Sequence, residues 1–312
     1  MEVSIVIRTY NEQLHLPELL DAISRQEVDF DFETVIVDSG STDNTLDIAK
    51  TFSCRITHIP KREFTFGRSL NIGCEFAGGK VLVFISGHCI PCEVDWLAKL
   101  TAPVRDGTAK YSYGRQVGRD TTKFSEGEVF SKYYPEQGRL LQEGFFCNNA
   151  NAAVSRLEWA QHRFDESLTG LEDLKLAKTI VEKGNPIAYV AEAPVFHIHD
   201  ESWHQVRVRY EREAVALREI MPEVHVEFAD FLRYFFSGVF HDFGIALEQR
   251  VLLKRAGEII AFRWMQFWGT YRGNMEHRQV SARQREEYFY PKPKWRQNNE
   301  QTDRRSSTYE SP

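Results

Sequence analysis

The chain has 312 residues, of which 42% are hydrophobic and 27% are charged, so it can bury one large core or two smaller ones and is not a disordered protein. Its formal net charge is −6 at pH 7, and it has neither a long basic run nor a nucleic-acid-binding motif, which excludes nucleic acid as a partner. Residues 228–296 differ, with 12 Lys and Arg against 7 Asp and Glu, and this basic balance indicates a surface for phosphates, phospholipids or another subunit.

The start of the chain and its hydropathy indicate a cytoplasmic protein. The first residues run directly into an apolar strand rather than into a signal peptide, and no uncharged apolar stretch reaches the roughly 18 residues of a membrane-spanning helix. The five cysteines, an odd number, favour reduced thiols. We therefore expect a cytoplasmic location and no spanning helix.

In the first 100 residues, short apolar segments alternate with segments of helical spacing. The predicted strands are residues 3–7, 33–38, 55–59 and 81–85, and the predicted helices are residues 17–24, a segment around 46–49, and 68–77. Strands that are apolar at every position, with helices between them, indicate a parallel sheet covered on both faces. Ligands of such sheets bind beyond the carboxyl ends of the strands, so the residues after each strand are the candidate site.

The second half of the chain has a different pattern, with longer helices and fewer strands. We predict a helix at 171–183, strands at 187–190 and 194–199, and a long charged helix at 203–220. Residues 227–280 are helical and rich in aromatic side chains, and the polar residues after 290 are expected to be disordered. The predicted organisation is a catalytic domain at 1–222, with halves 1–100 and 101–222, a helical region at 223–290 and a tail at 291–312.

Four segments of the chain resemble family 2 glycosyltransferases: Val3–Glu12, Val35–Thr45, Gly67–Gly79 and Gly170–Asp173. The resemblance covers roughly residues 1–200. It implies an α/β, Rossmann-like GT-A fold, whose mostly parallel central sheet is flanked by helices, here with a C-terminal helical extension. It also implies inverting transfer of a sugar from a nucleotide-diphosphate sugar to an acceptor.

The candidate nucleotide contacts follow the first two strands. Asp38 can accept a hydrogen bond from a base N–H, Tyr10 can pack against the base or ribose, and Thr9 and Glu12 add polar contacts. The alternative for Asp38 is a role in forming a tight turn.

Three further residues are candidates for the phosphate and sugar. Arg68, at a helix start, suits a diphosphate, although pairing with Glu63 or Glu75 is the alternative. Ser86 follows the most apolar strand, and the amide of Asn149 can face sugar hydroxyls or belong to an ordinary turn.

The metal motif departs from the family pattern. Most members place Asp-x-Asp after the apolar strand, whereas this chain has Ser86-Gly87-His88. Imidazole binds manganese, zinc or cobalt better than magnesium. His197 and His199, two residues apart in a strand, share one face. We therefore expect His88 and one of these two, with preference for His199, to hold a divalent metal, Mn²⁺. In the alternative, no metal is needed and His88 donates directly to phosphate.

The resemblance assigns the acceptor-side chemistry to two acids. Asp173 is the expected general base, and Glu172 is expected to position the acceptor or the loop. Both lie at a helix start, which lowers a carboxylate pKa unless burial opposes it. The alternative is a pair of acids that only complement the helix dipole.

The acceptor and the C-terminal region are less defined by the sequence. The acceptor is expected to be a glycan or a lipid-linked saccharide, in capsule or lipopolysaccharide synthesis. Aromatic and basic residues in 227–280 fit peripheral contact with the inner face of the cell membrane. Packing on the catalytic domain, or on a second copy in a homo-oligomer, is equally open.

Two other classes of protein compete with this interpretation. A sugar-phosphate nucleotidyltransferase would need a glycine-rich N-terminal loop, which the residues after the first strand lack. A catalytically silent nucleotide-sugar-binding or scaffold protein stays open because Asp-x-Asp is missing.

Overall fold

The computed structural model describes residues 1–276 and 282–290, and these described residues divide into two compact units, one up to residue 199 and one from residue 200 onward. The expected disordered tail at 291–312 lies outside the described residues. The division falls earlier than the sequence-based domain boundary after residue 222, because the helix Trp203–Ile220 groups with the C-terminal helices.

The first unit alternates strands and helices. Its strands are β1 Val3–Thr9, β2 Phe32–Asp38, β3 Arg55–His58, β4 Val81–Ser86, β5 Cys89–Pro91, β6 Tyr111–Val117, β7 Asn151–Ser155 and β8 Ile187–His197. Its helices are α1 Leu16–Ser24, α2 Thr45–Thr51, α3 Phe66–Phe76, α4 Trp96–Arg105, α5 Phe124–Tyr133, α6 Arg156–His162 and α7 Glu172–Glu182. The strands and helices predicted in the first 100 residues are confirmed, with ends that differ by a few residues.

One sheet joins all eight strands in the order β3-β2-β1-β4-β7-β6-β8-β5. β1 to β4 are mutually parallel, β7 is antiparallel to both β4 and β6, β8 is parallel to β6, and β5 is antiparallel to β8. The predicted α/β fold with a mostly parallel, helix-flanked sheet is confirmed. The four parallel strands end at one edge, where Thr9 is level with Asp38, and Arg8 with Ser86.

β8 is one strand where the sequence predicted two. The gap between the two predicted strands, residues 191–193, comes just before Pro194, and proline cannot donate to a β-ladder. The structure accommodates it at an irregularity, where Gly114 of β6 pairs with Val190 and Gln116 pairs with Val195. Residues 191–194 of β8, Pro194 among them, lie between these two pairs, whereas β6 has only Arg115 there. Regular pairing resumes at Val195, and the strand continues to His197.

Glycine lets α3 lie directly on the sheet. A Cβ on Gly73 would lie 2.8 Å from Cγ2 of Val37 in β2 and would also collide with Cγ1 of Val6 in β1. Any larger residue would force the helix away from these two strands.

The second unit is helical, with α8 Trp203–Ile220, α9 Phe228–Glu248, α10 Leu252–Met275 and α11 Ala282–Phe289. Gly269 and Gly273 of α10 have no side chains to separate their helix from the backbone of α8 at Arg207 and Glu211. α9 packs on α10 through buried Phe231, with Trp264 and Trp268 edge-on to it at 5.2 and 5.5 Å. None of the described helices is long and apolar enough to cross a membrane.

We expect Gly73→Ala to lower the free energy of unfolding by about 1–3 kcal/mol, because the added methyl group overpacks the contact between α3 and the sheet. Gly127→Ala is the matched control, since Gly127 also lies in a helix and its Cβ would meet nothing within 4 Å. The control should gain up to about 1 kcal/mol from helix propensity. Urea unfolding measures both; equal stability of Gly73→Ala and wild type would contradict the packing argument.

Candidate active site

The edge where the parallel strands end carries the predicted nucleotide residues. Asp38 is buried, and its Oδ2 accepts hydrogen bonds from the backbone N–H groups of Gly40 and Ser41, both at 2.9 Å. Its Oδ1 accepts from Ser41 Oγ at 2.5 Å and from Thr9 Oγ1 at 3.0 Å. Asp38 therefore has the turn-forming role that the sequence left as an alternative, and base binding by Asp38 stays a prediction.

Tyr10 has a cationic partner, whereas Arg68 has acidic partners. Lys61 donates to the Tyr10 hydroxyl at 3.3 Å. The guanidinium of Arg68 donates to Glu63 at 3.0 Å and lies 3.7 Å from Glu166. Glu63 is one of the two partners that the sequence analysis gave as alternatives to a diphosphate. A diphosphate would therefore compete with acidic side chains for Arg68.

Glu12, predicted as a nucleotide contact, lies beside His88, and its contact with a nucleotide stays a prediction. Its Oε1 lies 3.4 Å from Nδ1 of His88, and its side chain packs over Gly87, where a Cβ would lie 3.0 Å from Glu12 Cγ. Glu12 thus connects the loop after β1 with the Ser86-Gly87-His88 turn after β4.

Three histidines meet where the sequence predicted two. His88, His197 and His199 each offer one ligand nitrogen, and these nitrogens lie within 4.8 Å of one another. The rings of His197 and His199 have centroids 4.0 Å apart, and the His88 ring stacks on His197 at 5.3 Å. Nitrogens that share one ion lie at most about 4.2 Å apart, twice a usual bond length, so the three rings are close to the spacing that one ion requires.

The outer contacts of two of these histidines fix their tautomers. Nδ1 of His199 lies 2.7 Å from Oε1 of the buried Glu126, and a carboxylate only accepts, so Nδ1 donates. Nδ1 of His197 lies 2.6 Å from Oε1 of Gln116, whose Nε2 donates to Asn148 at 3.1 Å. When these rings are neutral, Nε2 carries the lone pair that a metal needs, and an acceptor behind Nδ1 is the usual outer shell of a metal-binding histidine.

The acidic pair begins α7. Asp173 is buried, and its two oxygens accept backbone hydrogen bonds from Asn149 and Leu174, both at 2.7 Å. Burial, with a smaller contribution from neighbouring Glu172, raises the pKa of Asp173 to about 7 despite those hydrogen bonds and nearby Arg8. The sequence left open whether burial or the helix start decides the pKa of Asp173. In the structure, burial has the larger effect.

Leu171, which precedes the pair, has φ +57°, in the left-handed region that a Leu rarely adopts. Backbone strain of this kind, on the order of 1–3 kcal/mol, is found most often at functional sites.

Arg8 was missed by the sequence reasoning. It donates to Glu172 Oε1 at 3.2 Å and to the carbonyl of Phe66 at 3.3 Å, joining β1 to α7 and to the start of α3. The available signal was a permanent cation near the end of an otherwise apolar strand, because such a charge must be paired when it is buried. Gln116 and Glu126 were missed for another reason: they belong to elements that the sequence analysis did not predict.

Asn149 lies beside Asp173. Its Oδ1 accepts from the hydroxyl of Tyr111, and it is only 3% exposed. Among the described residues, no hydrogen-bond partner reaches its Nδ2. A buried amide donor with nothing to bind is expensive, so its position beside the acid is compatible with the predicted contact to a sugar or acceptor hydroxyl.

Comparison with solved structures gives the class of the protein. A mannosyltransferase from Pyrobaculum calidifontis, solved in complex with GDP-Man and Mn²⁺, superposes with a TM-score of 0.56 at 18% identity over 86% of this chain and 87% of that one. S. aureus TarS 1-349 in complex with UDP superposes with a TM-score of 0.52 at 16% identity, covering 90% and 95%. The fold is therefore that of the GT-A glycosyltransferases.

Sequence comparison then gives the family. The model described as "Glycosyl transferase family 2" matches residues 4–164, more than half of the chain, and the protein belongs to this family. It is an enzyme, a glycosyltransferase of the hexosyltransferase type.

Two curated relatives extend this similarity. The O-antigen chain rhamnosyltransferase RfbN of Salmonella typhimurium is 27% identical over 255 residues, 77% of this chain and 73% of the relative. A PGL/p-HBAD biosynthesis glycosyltransferase of Mycobacterium bovis is 36% identical over 152 residues, 47% of this chain and 57% of the relative.

We expect Arg8→Gln to make Asp173 take up a proton at higher pH, by about one unit, because the positive charge that favours its ionised form is lost. The ¹³C chemical shifts of the side-chain carboxyls, followed against pH, measure this. Arg8→Lys, which keeps the charge, should shift less. Arg55→Gln, which removes an arginine paired with Glu33 at 2.6 Å, should leave the titration of Asp173 unchanged. An unchanged titration in Arg8→Gln would refute the coupling.

Proposed function

We propose that the protein is an inverting glycosyltransferase that moves a sugar from a nucleotide-diphosphate sugar to a hydroxyl of a glycan or lipid-linked saccharide, with Asp173 as general base. The observation that carries the proposal is the buried Asp173, held by two backbone N–H groups and raised in pKa to about 7.

A general base works best when its pKa lies near the working pH. An ordinary aspartate, with a pKa near 4, is a weak base for an acceptor hydroxyl. The raised pKa makes Asp173 a stronger base than an ordinary aspartate and brings its pKa closer to the working pH. Glu172, fixed by Arg8, keeps the start of α7 in place, and the Nδ2 donor of Asn149 is available to orient a hydroxyl next to the base.

The donor half of the proposal uses the strand ends. Thr9, Tyr10, Asp38 and Ser86 lie on the loops or strand ends where ligands of parallel sheets bind, and Arg68 begins α3 beside them. The structural neighbours solved with GDP-Man and with UDP support a nucleotide at this edge. For Arg68 to bind the diphosphate, its ion pair with Glu63 must open.

We further propose that His88, His197 and His199 hold one divalent transition metal, Mn²⁺, in place of an Asp-x-Asp site. The convergent nitrogens and the Gln116 and Glu126 acceptors behind them fit such an ion, and nitrogen ligands disfavour magnesium. When bound, the metal would supply positive charge against the leaving diphosphate. In the alternative, His88 donates to the phosphate by itself.

The acceptor class is part of the same proposal. The Salmonella relative is named an O-antigen chain rhamnosyltransferase, which supports a surface polysaccharide such as capsule or lipopolysaccharide. A lipid-linked acceptor would place this cytoplasmic enzyme at the inner face of the cell membrane.

We expect Asp173→Asn to lower kcat by roughly 10²–10⁴-fold, because the amide cannot accept the proton of the acceptor hydroxyl. The assay is nucleotide release from a panel of nucleotide sugars with Mn²⁺ and an acceptor glycan. The variant should still be stabilised thermally by the donor that the wild type uses. Asp106→Asn is the control, since that acid is exposed and binds only its own turn.

Near-normal transfer by folded Asp173→Asn would remove Asp173 as the base. A wild-type protein that binds donors but transfers none would favour the catalytically silent scaffold.

We expect the wild type to bind one Mn²⁺ per chain, and His197→Ala or His199→Ala to weaken that binding at least about 10-fold. Glu126→Gln should weaken it about 10–100-fold, because the outer-shell acceptor becomes a poorer one. Electron paramagnetic resonance of free Mn²⁺ measures binding without requiring turnover. His225→Ala, at an exposed histidine of the second unit, is the control. Transfer that survives EDTA undiminished, with no Mn²⁺ bound, would eliminate the metal.

A further inference from the structure

Helix α9 carries a stripe of large apolar side chains that its own packing does not use. Leu232, Phe236, Phe240 and Leu247 are 36% to 68% exposed. Their spacing places them within about 80° of the helix circumference, since successive residues are about 100° apart. The residues that pack α9 against α10, Phe231, Phe235 and Val239, lie on a neighbouring face and are buried.

Helix α10 extends the stripe into a wider surface. Trp264 is exposed, yet its ring lies edge-on to Phe235 at 5.4 Å, and Phe235 contacts Phe236 at 5.1 Å. Trp264 therefore lies at the seam next to the α9 stripe. Leu253 is fully exposed just after the turn that joins the helices, and Leu247 lies just before it. We call these six residues, Leu232, Phe236, Phe240, Leu247, Leu253 and Trp264, the apolar face.

The charges around the turn are predominantly positive. Residues 247–255 contain Arg250, Lys254 and Arg255 against one acid, Glu248. Arg255 pairs with Glu258 at 3.0 Å, whereas Arg250 and Lys254 form no ion pair within the described part of the chain. Exposed leucines next to uncompensated cations suit a surface that is apolar inside and anionic outside.

The charged groups buried between α9 and α10 are paired with each other. Asp242 and Arg263 are buried and form two hydrogen bonds of 2.7 Å, so both charges are satisfied within the protein. Covering the apolar face would therefore not remove water from an uncompensated charge in this interior.

We propose that the apolar face binds the interfacial layer of an anionic lipid bilayer, with Leu and aromatic side chains at the level of the acyl-chain boundary and Arg250 and Lys254 on lipid phosphates. This proposal specifies which surface would contact the membrane. It rests on the proposed function, in which the acceptor is lipid-linked. It assigns that contact to α9 and the start and middle of α10.

The test is co-sedimentation of the full chain with vesicles of phosphatidylcholine and phosphatidylglycerol at low salt. We expect the wild type to bind them. The double variant Phe236→Ser/Phe240→Ser should lose at least about 10-fold in vesicle affinity, because both rings leave the interface. Arg250→Gln/Lys254→Gln should lose roughly 5-fold per cation on these vesicles and little on pure phosphatidylcholine. Leu14→Ser/Leu157→Ser, which removes two exposed leucines of the first unit, is the matched control and should bind normally.

Several outcomes overturn the proposal. One is a wild type that ignores anionic vesicles, and another is vesicle binding that Phe236→Ser/Phe240→Ser leaves intact. A third is a dimer, detected by light scattering, that this variant dissociates while no vesicle binding occurs, which would make the apolar face a contact between copies. Nucleotide-sugar turnover, measured without vesicles, separates the two proposals: normal binding without turnover removes the transferase mechanism and leaves the membrane contact standing.

Discussion

The ion pair between Arg8 and Glu172 is the interaction on which the arrangement of the site depends. Arg8 is a permanent cation on β1, a strand with neighbours on both sides, and such a charge is tolerated only with a fixed partner. The partner comes from α7, 164 residues later in the chain, and the same guanidinium also donates to the carbonyl of Phe66, the first residue of α3. One side chain thus fixes the acid pair relative to the strand ends. It also provides the positive charge that opposes the effect of burial on Asp173.

The histidine cluster follows a similar logic with different chemistry. His88 comes from the turn after β4, His197 is the last residue of β8, and His199 lies two residues beyond it. The shift in register between β8 and β6 occurs before Val195, on the N-terminal side of both histidines. The acceptors behind the rings come from β6 and α5. Under the proposed metal site, imidazole nitrogens would take the place of the missing Asp-x-Asp carboxylates as ligands.

The second unit has a well-packed interior but also exposes large apolar side chains on its surface. Its glycines, its aromatic pairs and the Asp242–Arg263 pair satisfy the interior of the helix bundle. The remaining apolar side chains of α9 and α10 are then more than the bundle can bury. Large exposed apolar surfaces usually mark a binding partner, and the cations at the turn are the reason for proposing an anionic lipid surface as that partner.

The sequence by itself determined the elements of the first 100 residues, the α/β class and the family, because buried parallel strands are apolar at every position and the motifs after them are local. It also placed Asp173, Glu172 and the histidines among the candidates. Only the tertiary structure decided that three histidines converge, that Asp38 is held by turn donors, and that Glu12 belongs with His88. Arg8, Gln116 and Glu126 likewise became visible only in the fold. The turn around Asp38 is local, and the sequence had offered it as an alternative. The contacts of Glu12 with His88 and of Arg8 with Glu172 join segments far apart in sequence, so no local pattern reveals them. Burial, which raises the pKa of Asp173, is likewise a property of the packed molecule rather than of any local pattern.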